Sequence, residues 1–446
     1  MQNAIQKKAI IDAIQHVLTA ELNLSTVSAF SPEARLNEDL YLDSVLLMQL
    51  LINLEVNLCI EVPDTAFSEA DFATVNSLAD FLLKQSESGQ SVQPHSNATG
   101  TADDEEFEDI KVHCFVSCLC EMIKADARVD HRPFYFGVWD ADVVVDENVH
   151  INYHSENINH DFFKQWYKTL YGVTLTAWYQ DNRSKQQNIQ RLLQVLDNKT
   201  ASQNVMVMLD MFLLPERENK FNQNPFPHYV LLENCEDPDS LMMIDPDFRW
   251  QGRQNKAQVL TSIDSPAVSG GYYFDSSEIR PTPSQAIYDY YIACFNADTN
   301  PMTDAVRSII QHHISNATLS ELSSALNQLP VLAIRKYAYE HGLAFFWTEL
   351  GVFEQKFDEF EKWCDVIETL VETYKKIQFR AMKIASHDHQ SKHFETEKNE
   401  IFTLLEQQDE REYRIKAQLN MLFTQWRKQA LKHSETVATT CFVEAL

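Results

Sequence analysis

A cysteine, a histidine and an aspartate have the types and spacing that nucleophilic catalysis needs. Cys114 stands where a helix is predicted to begin, and a helix N-terminus favours the thiolate form of a cysteine. A nucleophilic thiol also needs a base and a group that orients the base. His228 and Asp245 flank a strand–turn–strand pattern centred near Glu236 and Asp237, so they should face each other across an antiparallel hairpin. We therefore predict that Asp245 holds one imidazole nitrogen while the other faces Cys114.

Two other interpretations of this cysteine remain open. A cysteine on a helix is often a small core residue, and the domain would then be a non-catalytic docking module. A zinc site built from His113, Cys114, Cys118 and Cys120 is disfavoured. Positions 114 and 118 share a helix face, but position 120 points away, and no second ligand pair is present.

Ser44 is a second residue with distinctive chemistry. A helix is predicted to begin at this serine, which places its hydroxyl beside unpaired backbone N–H groups that attract a phosphate. Residues 1–85 carry twelve acidic and four basic side chains, a net charge of −8. An Asp-Ser pair before an apolar helix is by itself only an N-cap.

Carboxylates between the cysteine and the histidine are candidates for binding a cationic amine. Asp140 and Asp142 are two residues apart, so on a strand they would share a face and could receive one ammonium group. Asp210 is the third candidate. Each of these residues also fits the description of an ordinary solvated surface acid.

Hydrophobic periodicity predicts the elements that must position these residues. Helices are expected over 3–22, 114–125, 159–170 and 185–197, and strands over 173–179, 204–213, 228–233 and 241–244. After Pro281 and Pro283 the pattern is helical almost to the end. One apolar stripe there contains Phe353, Phe357, Phe360, Ile367, Leu370 and Tyr374.

The chain is long enough for several domains. We predict an all-α domain over 1–85, a flexible linker over 86–106, an α+β domain over 107–280 and a helical region over 281–446. The linker prediction rests on a Ser-, Gly-, Asn- and Thr-rich stretch without periodicity.

Charge and composition exclude several classes of function. The formal net charge of −28 should repel nucleic acid and anionic membranes. No run of 18 apolar residues is present, so no membrane span is expected. Eight cysteines spread over 446 residues do not suggest a disulfide framework, which favours a reducing, cytoplasmic location.

The context of Ser44 resembles that of acyl carrier proteins. Residues 39–44, Asp-Leu-Tyr-Leu-Asp-Ser, resemble their attachment motif, and residues 72–82 resemble their last loop and helix. The resemblance implies a four-helix bundle with 4'-phosphopantetheine attached covalently to Ser44 by a phosphopantetheinyl transferase.

The order and contexts of Cys114, His228 and Asp245 resemble the papain-like fold of C39 peptidases. Together with residues 208–215, they resemble more specifically the butirosin-type acyltransferases and the petrobactin-type siderophore amide synthases. One departure is Glu108, which stands where papain-like peptidases place an oxyanion-stabilising glutamine. The backbone N–H of Cys114 remains the natural first oxyanion donor, and the second is not assigned.

This resemblance implies a carrier-dependent acyltransferase. The acyl group would be 3,4-dihydroxybenzoyl, transferred from the Ser44 arm through Cys114 to a polyamine such as spermidine. An acyl- or aryl-activating ligase would act before it and other siderophore synthetases after it. The alternative is a thioesterase or cysteine peptidase-like hydrolase that uses water as the acceptor.

Overall fold

The computed structural model divides the chain into two compact units. One comprises Met1–Glu108, Asn219–Asn222 and Phe379–Glu397, and the other comprises Asp109–Glu218, Gln223–Gln378 and Lys398–Leu446. The residues that the structure describes are 2–21, 30–36, 39, 40, 42, 47, 50, 51, 54, 73–87, 113–141, 143–154, 160–215, 217, 223–386 and 392–443.

The described part of the N-terminal region is helical. Helix α1 spans Gln2–His16 and continues as a π-helical segment, Val17–Glu21, and α2 spans Val75–Glu87. Their apolar faces share one core, whose most buried members include Ile14, Val17, Leu18, Leu50, Leu51, Leu54, Leu78 and Leu82. The predicted helical character is confirmed. The predicted linker, Ser44 and most residues of the helix predicted to begin there lie outside the described residues.

The larger unit contains a six-stranded antiparallel sheet in the order β3-β8-β4-β5-β6-β7. The strands are β3 (Thr176–Ala177), β4 (Gln203–Asp210), β5 (Pro227–Asn234), β6 (Ser240–Asp245), β7 (Trp250–Asn255) and β8 (Gly271–Asp275). A separate two-stranded sheet pairs β1 (Val144–Val145) with β2 (Ile151–Asn152). The near-continuous apolar runs of β4 and β5 fit strands that are central and covered on both faces.

Four helices accompany this sheet: α3 (Cys114–Lys124), α4 (Asp161–Tyr171), α5 (Lys185–Asn198) and α6 (Lys256–Asp264). Helix α4 ends at Gly172, whose positive φ of 85° is the left-handed conformation that glycine tolerates best at a helix end. Helix α5 begins with a capping box between Ser184 and Gln187. These local signals explain why both helices lie close to their predicted positions.

The remainder of the larger unit is helical. Its helices are α7 (Ser284–Cys294), α8 (Pro301–Ser315), α9 (Leu322–Ala325), α10 (Leu329–Ala333), α11 (Ala338–Glu349), α12 (Phe357–Ser386) and α13 (Lys392–Val443), the last two of which reach beyond this unit. An aromatic core joins these helices to the 3-10 segment Arg132–Gly137. Within it, the Phe136 and Phe346 ring centroids are 5.5 Å apart, and those of Tyr291 and Phe423 are 3.9 Å apart.

The architecture is therefore a helical N-terminal region, a central α+β domain and a helical C-terminal region. The predicted helix start at Ser284 is confirmed, and the apolar stripe is buried from Phe360 onward but exposed at Phe357. The predicted strand over 173–179 is reduced to two residues. None of the helices in the described part of the chain has the length and apolar character that a membrane crossing requires.

Candidate active site

Cys114 is the first residue of α3. The residue before it, His113, has extended backbone angles and forms the N-cap of the helix. The apolar side of α3 includes the buried residues Phe115, Leu119 and Ile123, and the helix packs against β5. Cys114 itself remains partly exposed. A thiol at this point combines the favourable field of a helix N-terminus with access to a substrate.

The hairpin β5–β6 brings the histidine and the aspartate to one face of the sheet. Leu231 lies opposite Ile244, so continuing this register places Val230 opposite Asp245. His228 is therefore a diagonal neighbour of Asp245 and not the direct partner that we predicted. The turn is centred one residue later than expected because the Asp237 side chain accepts hydrogen bonds from the residues that follow it. The shift of two residues preserves the face, since side chains alternate with period two.

His228 connects the thiol to the carboxylate. Its Nε2 lies 2.9 Å from Asp245 Oδ1, and the Cys114 thiol lies close enough to its ring to raise the pKa of His228. Burial alone would lower the pKa of His228, but Asp245 and Cys114 outweigh it and raise this pKa well above its usual value. The imidazole is thus held as a strong base within reach of a thiol, which is the arrangement that thiol activation needs.

Arg217 binds the carboxylate oxygen of Asp245 that His228 does not contact. The sequence analysis did not identify this residue. Its Nη2 donates to Asp245 Oδ2 at 3.0 Å, and only 4% of its side chain is exposed. Its guanidinium carbon is 3.8 Å from the ring centroid of Trp250, which lies directly opposite Asp245 on β7. Burial raises the pKa of the Asp245 carboxyl, but His228 and Arg217 together bring it below its ordinary value.

Asp247 is a second buried residue that the sequence analysis did not single out. It lies in the 3-10 turn Pro246–Phe248, which begins directly after Asp245. Its Oδ1 accepts hydrogen bonds from the backbone N–H of His113 at 3.2 Å and from the Ser117 hydroxyl at 2.9 Å. The carboxylate therefore fixes the start of the helix that carries Cys114.

The other two cysteines of α3 are placed as core residues. Cys118 is fully buried, and its thiol lies 3.4 Å from the carbonyl oxygen of Tyr229. Burial raises the pKa of Cys118 well above its ordinary value, so this thiol stays protonated. Cys120 is also buried. Within the described ranges, no group of three or more His, Cys, Asp or Glu residues is placed to hold a metal ion.

The C-terminal helical region supports one edge of the site through Tyr153. The Tyr153 hydroxyl donates to the carbonyl of Pro227, the residue before His228. Its backbone N–H donates to Gln328 at 2.8 Å, and its carbonyl accepts from Arg335 at 3.0 Å. Burial and the nearby Cys114 raise the pKa of Tyr153 well above its usual value, so the hydroxyl remains a hydrogen-bond donor.

Two of the carboxylates predicted to bind an amine have partners within the protein. Asp140 is paired with Lys336 at 2.9 Å and with Lys416 at 2.8 Å. Asp210 accepts from the backbone N–H groups of Phe212 and Phe226 and from the Ser265 hydroxyl. The carboxylates of Asp140 and Asp210 are thus engaged by partners within the protein. We therefore do not include these two residues in the amine site proposed below.

Three residues from the sequence analysis lie outside the described residues. They are Ser44, Glu108 and Asp142. The carrier attachment site, the residue at the papain-like glutamine position and one half of the predicted acidic pair therefore remain predictions.

Comparisons with known proteins identify the family. The chain matches the DUF6005 N-terminal domain over residues 109–279 and the DUF6005 C-terminal domain over residues 285–440. It is 41% identical over 334 residues to the petrobactin synthase of Bacillus anthracis, an alignment that covers 74% of this chain and 98% of that protein. The chain belongs to the petrobactin synthase family. The predicted resemblance to petrobactin-type amide synthases is thereby confirmed.

A second relative matches a much smaller part of the chain. An acyl carrier protein of Bacillus anthracis, AsbD, is 33% identical over 78 residues, which is 18% of this chain and 86% of that protein. This chain therefore combines similarity to a petrobactin synthase with similarity to a carrier protein. Cys114, His228 and Asp245, with Arg217 and Asp247, all lie within the match to the DUF6005 N-terminal domain.

Proposed function

We propose that this chain is a carrier-dependent amide synthase of siderophore biosynthesis that works through a cysteine-bound acyl intermediate. The observation that carries the proposal is the placement of the Cys114 thiol, at the start of a helix, near a buried His228 that is bound to Asp245. Membership of the petrobactin synthase family and the similarity to an acyl carrier protein support the same function. A papain-like fold and a cytoplasmic location belong to this proposal.

The carrier region would supply the acyl donor. Leu40 and Leu42, shortly before Ser44 in the chain, are buried in the core of this region. When attached to Ser44 by a phosphopantetheinyl transferase, 4'-phosphopantetheine supplies a thiol on which an activating ligase can load an acyl or aryl group.

The first half-reaction transfers the acyl group to the enzyme. The proton of the Cys114 thiol passes to His228, and the sulfur attacks the carbonyl carbon of the thioester donor. A new sulfur–carbon bond forms, the bond to the donor sulfur breaks, and the imidazolium of His228 protonates the departing thiolate. The backbone N–H of Cys114 would donate to the developing oxyanion.

The second half-reaction forms the amide. A neutral amine attacks the carbonyl carbon of the acyl-cysteine, the carbon–nitrogen bond forms and the carbon–sulfur bond breaks. His228 takes the proton from the amine and returns it to Cys114. Asp245 holds the imidazole in place and stabilises its protonated form, and Arg217 fixes the aspartate.

The substrates follow from the family. We propose that the acyl group is 3,4-dihydroxybenzoyl and that the acceptor is a polyamine such as spermidine. Other siderophore synthetases would then use the product.

Reconstitution tests this function. The purified chain is treated with a phosphopantetheinyl transferase and an aryl-activating ligase, and 3,4-dihydroxybenzoate and spermidine are added. We expect a mass gain of one arm that is lost in Ser44→Ala, and an amide product that requires both Cys114 and the amine. Release of the free acid at the same rate without amine would instead identify a hydrolase.

A further inference from the structure

Asp247 is a buried carboxylate beside the start of α3, the helix that carries Cys114. Only 6% of the residue is exposed. One of its oxygens, Oδ1, contacts the amide nitrogen of the residue directly before Cys114. The carboxylate therefore lies at the end of α3 from which the nucleophilic thiol projects.

Within the described ranges, the second carboxylate oxygen of Asp247, Oδ2, has no hydrogen-bond partner. Both hydrogen bonds of the carboxylate, from His113 and Ser117, end on Oδ1. Among the residues that the structure describes, no hydrogen bond to Oδ2 and no ion pair of Asp247 with a lysine or arginine is seen. Both oxygens of Asp245, two residues earlier, are instead bound by His228 and Arg217. Oδ2 is not one of the buried side-chain atoms that lack a partner, so this oxygen is accessible to solvent and a ligand can reach it.

Activation of the nucleophile does not explain Asp247. A negative charge near a thiol disfavours the thiolate, so this carboxylate opposes the ionisation on which the first half-reaction depends. Its charge contributes to raising the pKa values of two neighbouring groups, Cys118 and Tyr153. The positive end of the α3 dipole stabilises a carboxylate at this position, but that role occupies only Oδ1. Oδ2 is left to bind a positive ligand.

We propose that Asp247 Oδ2 binds a cationic nitrogen of the acceptor, so that the preferred acceptor is a diamine or polyamine. This proposal rests on the proposed function and adds the residue that selects the acceptor. The attacking nitrogen must be neutral and carry its lone pair, so it cannot be the group that pairs with Asp247. A second nitrogen, a few methylene groups away on the same molecule, can remain protonated and fill this role. Asp247 is thus a specificity-determining residue.

The test combines one substitution in the protein with one in the substrate. The full chain is acylated on Cys114 with an aryl thioester of N-acetylcysteamine, and discharge is measured with 1,4-diaminobutane or with butylamine, which lacks the second nitrogen. Asp247→Asn keeps an oxygen for His113 and Ser117 but removes the charge. We expect the wild-type preference for the diamine to be about 10- to 100-fold, the range of one charged hydrogen bond, and to approach one in Asp247→Asn.

Ser117→Ala is the matched control. It removes a hydrogen bond from the same carboxylate but leaves the charge, so it should retain the preference for the diamine. If Asp247→Asn does not fold, Asp247→Ser removes the same charge with a smaller side chain.

The possible results distinguish failure of the proposed role of Asp247 from failure of the proposed amide synthase function. The inference is overturned if the wild type discharges equally to both amines, or if Asp247→Asn slows both amines by the same factor, since Asp247 would then only cap the helix. If the wild type forms no acyl-cysteine at Cys114, the proposed function fails and the inference falls with it.

Discussion

At the scale of single residues, the two oxygens of Asp245 have different partners. Oδ1 binds His228 and Oδ2 binds Arg217, and all three side chains are buried. A buried charge pair repays its desolvation only when its remaining hydrogen-bonding sites are filled. The guanidinium therefore lets the aspartate remain ionised beneath the imidazole, and the Trp250 ring holds the guanidinium in one orientation.

Arg217→Met should weaken both folding and activity. Removal of one partner from a buried pair costs about 3–5 kcal/mol of unfolding free energy. Arg217 lowers the pKa of Asp245, so the variant should raise it. A depressed carboxyl pKa stabilises the fold above the unfolded value of about 3.9 and loses that contribution as the pH falls through the folded pKa. As the pH falls, the loss of stability should therefore begin at a higher pH in Arg217→Met than in the wild type.

Melting temperatures and kcat/KM measured as a function of pH check this prediction. Arg253→Met is a suitable control, because Arg253 is an exposed arginine on the neighbouring strand β7. Identical acid limbs in Arg217→Met and the wild type would show that Arg217 does not act on Asp245.

Sequence patterns identify the residues of the proposed triad more easily than their supports. Cys114 is marked by a helix start, and His228 and Asp245 by the two arms of a short hairpin, which are local signals. Arg217 and Asp247 gain their roles through contacts with Asp245 and with the start of α3, 28 and 130–134 residues away in the chain. No periodicity encodes such contacts. The same holds for Asp140, whose lysine partners are 196 and 276 residues away.

At the scale of elements, a buried ionic cluster fastens the C-terminal helices to the segment after the 3-10 helix Arg132–Gly137. Lys336 contacts Asp140 and, at 2.5 Å, Glu412 on α13. Burial would lower the pKa of Lys336, but the two carboxylates raise it above its ordinary value. The adjacent Arg335 binds the carbonyls of Ala141 and Tyr153, so the cluster and the edge of the active site share one structural support.

Lys336→Met should destabilise the chain strongly. The variant leaves two carboxylates in the interior with Lys416 as their main cation, and removal of a partner from a buried charge group costs about 3–5 kcal/mol. Urea unfolding measures the change. Lys356→Met is the matched control, because Lys356 is half-exposed and forms a surface ion pair with Glu359 one turn away, so its change in unfolding free energy should stay within about 0.5 kcal/mol. Equal effects of the two substitutions would mean that the cluster does not stabilise the fold.

Element boundaries show which parts of the fold local patterns predict. The helices that begin at Cys114, Asp161 and Lys185 lie within two residues of their predicted starts. The hairpin turn was misplaced by one residue because side-chain hydrogen bonds of Asp237 set its position. In the strand expected over 173–179, the residues that pair with β8 at the sheet edge are Thr176 and Ala177. The neighbouring apolar residue Trp178 is buried in the core, so the apolar pattern here reflects core packing and not a longer strand.

At the scale of the whole molecule, fusion of a carrier-like region to a synthase should raise the local concentration of the acyl donor. A coil of the predicted linker length, about 21 residues, has an r.m.s. span of roughly 25 Å. Tethers of this kind give effective concentrations on the order of a millimolar.

Complementation between two inactive full-length chains tests the tether. Ser44→Ala keeps the thiol but has no donor, and Cys114→Ala keeps the donor but has no thiol. A mixture should recover amide formation that rises with protein concentration, while wild-type turnover per molecule should not depend on it. A mixture that remains inactive at every concentration would indicate that each carrier region serves only its own chain.

The acyl-cysteine at Cys114 is the most direct test of the account. Wild-type chain loaded with the aryl group is quenched without amine, digested and mapped by mass spectrometry, and a second sample is quenched after spermidine is added. We predict that the aryl mass is on the Cys114 peptide before the amine is added and leaves it as the amide forms. In Cys114→Ala the aryl group should remain on the Ser44 arm. Amide formation by Cys114→Ala at the wild-type rate would contradict the account, because the amine would then attack the carrier thioester directly.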